Sequence, residues 1–348
     1  LTISMPGGIT QGTHLWVRDI KEDTTVSGAY LVREKRVQMT RAGKPFLGLV
    51  LADRTGDIPA KVWDQAESLS PLFKEGDVVQ IFGNAGSYRG EVQITVNALE
   101  PVRDRPDPEI FLESAPGDPS RMMRSLRGIL KGVHDPHLKA LIDAFLEDRG
   151  FMARFRKAPA AKNFHHGYLG GLLEHTLSVC QMAEEVAAHY PALNRDLLIT
   201  SAFVHDVGKI RELGCDILID YTDEGRLVGH VVLGLSMVEE KLRGLQEFPP
   251  DLAVRLKHMI LSHHGQYDFG SPKEPKFLEA FALHLIDDLD AKINGLSRFM
   301  ERDRHEGSWT EFNRMFGKYF LKQRLEPAGK ERGPDTDTLQ GTLFSEIT

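Results

Sequence analysis

The apolar residues of this chain change period once, and the change coincides with a proline-rich stretch. From about Leu15 to Val102 they come in short runs rich in branched and aromatic residues, VSGAYLVREKRVQM, FLGLVLAD, IPAKVWD, DVVQIFGNAG and EVQITVNALEPV. Turn residues such as Asp53-Arg54-Thr55-Gly56-Asp57 separate the runs, which is the pattern of strands. Past Ser120 the spacing becomes helical, in RMMRSLRGILKGV, HLKALIDAFLED, LLEHTLSVCQMAEEVAAHY, DLLITSAFVHDVG, HVVLGLSMVEEKLRGL, DLAVRLKHMILSHHG, FLEAFALHLIDDLDAKINGLSRFM and WTEFNRMFGKYFLKQ. Between the two regimes PVRDRPDPEIFLESAPGDPS carries five prolines, which interrupt any regular element. A chain of 348 residues is long enough for two or three domains with cores of their own.

Five strands with one helical insertion, near Gln65 to Phe73 between the third and fourth, match a small Greek-key barrel of OB type. The expected organisation is a multidomain α and β protein: a five-stranded OB-type β-barrel over 12–103, a proline-rich linker over 104–120, an all-α helical bundle over 121–325 and a polar C-terminal tail over 326–348. CDILIDYTDEGRLVGH reads as a small hairpin among the helices, with Asp223-Glu224-Gly225 as its turn. The tail, EPAGKERGPDTDTLQGT followed by a short apolar LFSEI, has the composition of a mobile segment.

The 43 Lys and Arg against 50 Asp and Glu leave a net charge of -7, so no global basic field announces a nucleic acid and any polyanion must be bound locally. The two cysteines, Cys180 and Cys215, are too few for a disulfide framework and fit a reducing compartment. No run of about 18 apolar residues suggests a membrane span, and LTISMPGGIT lacks the basic and apolar regions of a signal peptide. The expectation is a soluble cytoplasmic protein, with homo-oligomer formation left open.

Ten of the fourteen histidines fall between His165 and His284, which concentrates imidazole in the helical half. His175 lies in the helix start GGLLEHTL, and His205 and Asp206 sit side by side in SAFVHDVGKIR. His230 begins a helix after the hairpin, His263 and His264 end another before Gly265, and Asp287 lies in HLIDDLDAK. A charge buried in so apolar a setting needs a partner, because an unpaired one is costly. Together these residues can converge inside a bundle, where helical proteins place metals. Imidazole nitrogen with carboxylate oxygen suits first-row divalent ions such as manganese, iron or zinc rather than a calcium cage. Taken singly, a histidine on such a helix is more often a hydrogen-bonded core or boundary residue, and His189, His258 and His284 fit that description. Adjacent histidines point about 100° apart on a helix, so His263 and His264 can share a pocket only at its centre or at a frayed end, which the position before Gly265 supplies.

The order H, HD, H, HH, D resembles the signature of HD-domain phosphohydrolases. His175, the His205-Asp206 doublet and Asp287 look like its H…HD…D residues, and HDVGK is its usual central spelling. His230, His263 and His264 look like the further ligands of its two-metal members. The resemblance implies that 121–325 is such a domain, with one metal held by His175, His205, Asp206 and Asp287 and a second by Asp206, His230, His263 and His264, Asp206 being shared. It implies manganese first, and iron, zinc, cobalt or magnesium as alternatives. Asp288 and Asp290 adjoin Asp287, which is chosen because it follows a histidine, His284, by three residues as in the family spelling. His205 and Asp206 are candidate catalytic residues. So is Lys209, which either faces a substrate phosphate or serves as a helix C-terminal cation favoured by the macrodipole. Two metals clamp a phosphate and activate water, so no nucleophilic side chain is needed, and neither cysteine has the setting of an activated thiol.

The barrel segment from Thr10 to Arg103 holds twelve Lys and Arg against twelve Asp and Glu, so its charge matters only in its distribution. REKRVQMTRAGK places Arg33, Lys35, Arg36, Arg41 and Lys44 at the end of strand one and in the loop to strand two, a loop that OB folds commonly use on oligonucleotides. Tyr88 and Arg89 in GSYRGE occupy the loop between strands four and five, the other customary contact. Tyr30, Phe46, Trp63 and Phe82 are candidate stacking platforms, although about half of such residues in a small barrel point inward as packing. A cationic loop, an opposite Tyr-Arg loop and a phosphodiester-type site favour single-stranded RNA or DNA as the partner. The whole order, with GYLGGLLEHT, HDVGK, LVGH, SHHG and DLDAK, is similar over about residues 12–322 to bacterial YhaM-type 3′-to-5′ exoribonucleases. That resemblance implies manganese-dependent removal of nucleotides from a 3′ end, on RNA and in some members on single-stranded DNA. One alternative is a phosphohydrolase of nucleotides or cyclic dinucleotides, against which HDVGK lacks the following GYP motif of the cyclic-dinucleotide branch. The other is a non-catalytic nucleic-acid-binding protein, against which the complete ligand set argues.

Overall fold

The computed structural model describes residues 14–88, 90–103, 107–162, 165–303 and 305–322. Its first unit is a closed barrel of β1 (Thr25–Met39), β2 (Pro45–Asp53), β3 (Gly56–Val62), β4 (Val78–Tyr88) and β5 (Glu91–Pro101), in the order β1-β2-β3-β5-β4. Every pair is antiparallel except β3 with β5, which gives the OB arrangement. Helix α1 (Ala66–Leu69) and a following turn occupy the gap between β3 and β4. Alternation along the strands puts Val26 and Val32, Leu47, Leu49 and Leu51, and Ile58, Ala60 and Val62 into one interior. Tyr30 belongs there too. It is wholly buried and its hydroxyl donates to the Leu15 carbonyl, which removes it from the candidate stacking platforms.

The barrel's entry segment is pinned by a buried carboxylate. Asp53 accepts from His14 Nε2 at 2.9 Å, from the Val17 amide at 2.8 Å and from the Thr55 amide at 2.7 Å. Burial raises its pKa, but these hydrogen bonds together outweigh burial and hold it below the usual carboxylate range. A depressed folded pKa means that the contribution is present above the unfolded pKa, about 4, and is lost as pH falls through the folded value. Asp53→Asn is therefore expected to destabilise the barrel at neutral pH by on the order of 2 kcal/mol, the scale of hydrogen bonds to a charged group. The difference from wild type should shrink on acidification below about pH 4. Denaturant titrations followed by Trp16 and Trp63 fluorescence at several pH values check this, and a pH-independent difference would count against the pinning role.

The second unit is helical: α2 (Pro119–Lys131), α3 (Pro136–Leu146), α4 (Arg149–Phe155), α5 (Gly171–His189), α6 (Arg195–Val204), α7 (Lys209–Glu212), α8 (Asp223–Val228), α9 (His230–Arg243), α10 (Pro250–Ser262) and α11 (Leu278–Arg302). The first three start at Asp118, Asp135 and Asp148, whose carboxylates accept from amides of the first turn. Their apolar faces share one core with α5, α6, α9, α10 and α11, around Phe145, Phe155, Leu172, Phe203, Met259 and Leu283. A hairpin of β6 (Leu213–Cys215) and β7 (Ile219–Tyr221) turns at 216–218 rather than at Asp223-Glu224-Gly225. Those three residues begin α8 because Thr222 Oγ1 caps it by accepting from the Gly225 amide, and Asp223 and Glu224 suit a helix N-terminus.

The proline-rich segment is bonded to both units. Arg54 donates to the carbonyls of Ile110 and Glu109, while Ala115 and Leu169 exchange backbone bonds with Leu169 and Glu113 respectively. Phe111 packs with Leu31, Ala52 and Val78 of the barrel, and Ile217 of the helical unit joins the same cluster. Glu113 pairs with Arg298 and Arg302 of α11. WTEFNRMFGKYFLKQ, expected to be helical, forms no helix in its described part: Trp309 bridges to Leu321 and Asn313 to Lys318 across a turn, while the expected tail from 326 lies outside the described residues.

Candidate metal centre

Five imidazoles meet where the ends of two helices, the start of a third and the inner faces of α5 and α11 converge. His175 projects from the second turn of α5, His205 ends α6, His230 starts α9, and His263 and His264 follow α10. Two glycines make the approach possible. A side chain at Gly208 would lie 2.0 Å from the His230 carbonyl, so the glycine of HDVGK is what lets α9 reach the doublet. Gly265, at φ +79°, stops α10 after its two histidines and leaves room for the His284 ring beneath.

The tautomer that each of the five rings adopts when neutral follows from its outer partner. His205, His263 and His264 Nδ1 face the carbonyls of Ala202 at 2.8 Å, Ile260 at 2.7 Å and Phe269 at 3.0 Å. His175 Nδ1 faces Asp290 at 2.7 Å, and His230 Nδ1 faces Glu212 at 2.9 Å. A carbonyl or ionised carboxylate only accepts, so each Nδ1 carries a hydrogen, and in the neutral ring each Nε2 is left with the lone pair. Those lone pairs all point inward. His175 and His205 Nε2 stand 3.2 Å apart, and so do His230 and His264 Nε2. Two bare nitrogens at that distance repel unless a proton or a cation lies between them.

Two carboxylates face the same space. Asp206 directs Oδ2 at His175 and His205, 3.4 Å from each Nε2, and Oδ1 at His230 and His263, at 3.5 and 3.6 Å. Asp287 Oδ1 stands 3.1 Å from His175 Nε2 and 3.7 Å from His205 Nε2. Lys209, buried at the start of α7, places Nζ 2.6 Å from Asp206 Oδ2. It is therefore not a helix C-terminal cation. Burial pushes the Asp206 pKa up, but Lys209, His205 and His175 together hold it well below the carboxylate range. Burial works against a charged His205, yet Asp206 and Asp287 lift its pKa to about 9. Burial together with its neighbours His263 and His230 brings His264 down to about 2, which leaves it a neutral donor. Asp206 and Asp287 are thus balanced by Lys209 and by protons held on His205 and His175, protons that a divalent cation would displace.

These residues fit divalent cations. Asp206 Oδ1 and His263 Nε2 are buried with no hydrogen-bond partner, an arrangement that is costly unless something binds there. His175, His205 and Asp287 form one group with donor atoms within 4.8 Å of one another, and His230, His263 and His264 form another. Oxygen from Asp206 faces both.

Sequence reasoning missed the groups behind the donors. Asp290 accepts from Ser178 as well as His175, and stands 3.0 Å from His166 Nε2. His166 Nδ1 in turn meets Tyr168 and Glu174 at 3.0 and 2.9 Å. The available signal was the spacing of Asp287 and Asp290, three apart on one face of α11, and the unused pair in NFHHGYLGG. Asp288 points outward and pairs with Lys292.

The predicted cations of the barrel are less free than their sequence suggests. β1 extends to Met39, so Arg33, Lys35 and Arg36 lie on a hairpin arm and only Arg41 and Lys44 lie in its turn. Arg33 pairs with Asp57, Arg36 with Glu34 and Lys44 with Asp64, all exposed. Lys35 instead donates to the carbonyls of Ser70 and Phe73, a packing role in place of the strand-contacting one expected. Tyr88 is half exposed, and Arg89 lies outside the described residues. Phe46 stacks on Trp63 with ring centres 4.8 Å apart, and Lys61 reaches over Trp63 and Tyr88 at 5.3 and 4.7 Å. Phe82 is half-buried. Lys61, which its strand pattern did not single out, is thus the cation at the centre of the aromatic surface.

Comparison with known proteins agrees with both units. A family model described as HD domain matches residues 172–292, and one described as OB-fold nucleic acid binding domain matches 29–102. The 3'-5' exoribonuclease YhaM of Bacillus subtilis is 36% identical over 283 residues, 81% of this chain and 89% of that protein. This chain belongs to the YhaM family. Another member, from Shouchella clausii, is 34% identical over 82% of this chain and 89% of its own. A solved second OB-fold domain of replication protein A from Methanococcus maripaludis covers 27% of this chain and 98% of its own, at 16% identity and a TM-score of 0.22. The two matched segments fall on the helical unit and on the barrel respectively. Among the described residues no helix is long and apolar enough to cross a membrane.

Proposed function

We propose that the protein is a metal-dependent 3′-to-5′ exoribonuclease that hydrolyses single-stranded RNA, and also single-stranded DNA, in the cytoplasm, with the barrel (12–103) guiding the strand to the helical domain (121–325). The observation that carries this reading is the convergence of the Nε2 atoms of His175, His205, His230 and His263 on Asp206, whose two oxygens face opposite halves of one pocket, with His264 Nε2 beside that of His230. His175, His205, Asp206 and Asp287 would hold one divalent cation and Asp206, His230, His263 and His264 a second, with manganese as the proposed ion. Such ions supply neutralisation of phosphate charge and acidification of water. The chain's own residues do the rest. Asp290 and Glu212 orient His175 and His230 by accepting their Nδ1 hydrogens. Lys209 holds Asp206 ionised and has N–H groups left for a substrate phosphate oxygen. Covalent catalysis by cysteine has no support, because burial raises the pKa of both Cys180 and Cys215.

The test is a 5′-labelled single-stranded oligonucleotide incubated with the protein and manganese. A ladder shortening from the 3′ end is expected. Turnover of nucleotides alone, or binding without cleavage, would replace this reading. For the barrel, neutralising Arg36, Arg41 and Lys44 should weaken binding of long strands and reduce the logarithmic salt slope by about 0.7 for each phosphate that is no longer neutralised. Tyr88→Ala should cost about 1–3 kcal/mol if a base stacks there. Hydrolysis of a nitrophenyl phosphodiester, too small to reach the barrel, should persist in all of these variants. An unchanged slope and affinity would leave the barrel without a guiding role.

A further inference from the structure

Helix α11 is apolar on two faces. One buries Ala280, Leu283 and Ile286 in the core and turns Asp287 and Asp290 toward the metal centre. The other lies in solvent, with Leu278, Phe281, Leu285, Leu289 and Ile293 each 51–60% exposed. These five recur every three or four residues and form one continuous stripe. Alongside, Tyr190, Val186 and Leu193 from the end of α5 and its following turn extend the stripe into an apolar groove of about 930 Å³. Six half-exposed side chains of this size present on the order of 600 Å² of apolar surface, the upper end for a monomer's largest patch.

We propose that this stripe is a self-association surface, on which α11 packs antiparallel against α11 of a second copy, with the two-fold axis near Leu285. The spacing singles out this occupant. Phe281 and Leu289 lie four residues to either side of Leu285, and Leu278 and Ile293 lie seven and eight. A reversed copy therefore presents the same series of side chains, which is the self-complementarity that an isologous contact requires. The patch approaches the roughly 800 Å² per partner of a standard interface, and a polar rim supplies the remainder. The flanking charges Asp288 and Lys292 neutralise one another at 2.7 Å, so nothing on the stripe selects a charged partner. A membrane-lying helix would carry a border of free cations, whereas the cations flanking this stripe, Lys276 and Lys292, are each paired with a carboxylate, Glu274 and Asp288. The inference stands independently of the proposed nuclease activity, although the clamped helix also carries Asp287.

Sedimentation equilibrium of the full chain should show a reversible dimer, or a higher even-numbered state, and Leu285→Glu should weaken the association at least tenfold. In a Cys215→Ser background, Leu285→Cys should cross-link to its own copy on mild oxidation. Leu278→Cys alone should not, whereas a mixture of Leu278→Cys and Ile293→Cys should. A wild-type protein that stays monomeric at all concentrations would overturn the proposal, and that result would also be the signature of the surface being covered by the chain's own residues beyond 322. Failure of Leu285→Cys to cross-link, or equal self-cross-linking at Leu278, would overturn it as well. The cysteine variants keep the test decisive if Leu285→Glu does not fold.

Discussion

Asp206→Ala is expected to abolish hydrolysis, with turnover falling more than ~10³-fold, since changing only the groups behind metal ligands costs roughly 10–100-fold. Among the described residues Asp206 is the one side chain whose oxygens face both imidazole groups, so its loss empties both halves of the site of their common donor. It also leaves the Lys209 ammonium buried without its 2.6 Å partner. Breaking a buried pair from one side costs about 3–5 kcal/mol, so the alanine variant should melt earlier as well. Asp206→Asn separates the two effects. Its amide oxygen can still accept from Lys209, which preserves the fold, but the neutral group no longer anchors cations. Binding of long single strands should survive in both variants because the barrel is untouched. A gel assay of 3′-end shortening beside filter binding reads both quantities, and full activity in the asparagine variant would end the shared-carboxylate reading.

Asp290→Asn should weaken divalent-metal binding by roughly 10–100-fold without removing any proposed ligand. Asp290 fixes which nitrogen of His175 bears the hydrogen and holds the ring through a 2.7 Å bond, while Ser178 and His166 hold Asp290. The amide keeps one acceptor but loses the charge that favours Nδ1–H, so Nε2 is no longer reliably the free donor. Ligands that bind only the native state add RT ln(1 + [L]/Kd) of stability, so each tenfold loss of affinity removes about 1.4 kcal/mol of metal-induced stabilisation at saturation. Melting with manganese and with chelator should therefore differ widely for wild type and much less for the variant. Asp288→Asn, exposed on the same helix, is the control and should titrate like wild type. An Asp290→Asn protein with the wild-type metal titration would assign the residue to packing alone.

The fold and the proposed donor set were legible because each rests on a local pattern. Period-2 runs followed by helical ones specify a barrel and then a bundle, since the period determines which face an element can bury. The adjacency of His205 and Asp206, and of His263 and His264 before Gly265, placed polar groups at helix ends where they can face a common space. What remained hidden depends on contacts between distant parts of the chain. His175 meets Asp290 across 115 positions, and nothing local distinguishes the roles of Asp287 and Asp290, which share one face of α11. The acceptors that set the imidazole tautomers are mostly backbone carbonyls, whose direction no side-chain pattern records.

The same limit governs the barrel. Its cationic stretch could be read from the sequence, but Asp57 and Asp64 come from other strands and loops to occupy Arg33 and Lys44, and Lys35 is drawn to the carbonyls of Ser70 and Phe73. Tyr30 could have faced either way until closure of the barrel put its side of β1 inside. By itself, then, the sequence determined which residues are apolar, which can bind metal and which half of the chain is strand and which helix, because those are properties of a residue and its near neighbours. Tertiary structure alone decided which oxygen faces which nitrogen and which cation is already paired, because an electrostatic contact exists only once two remote segments are brought within a few ångströms.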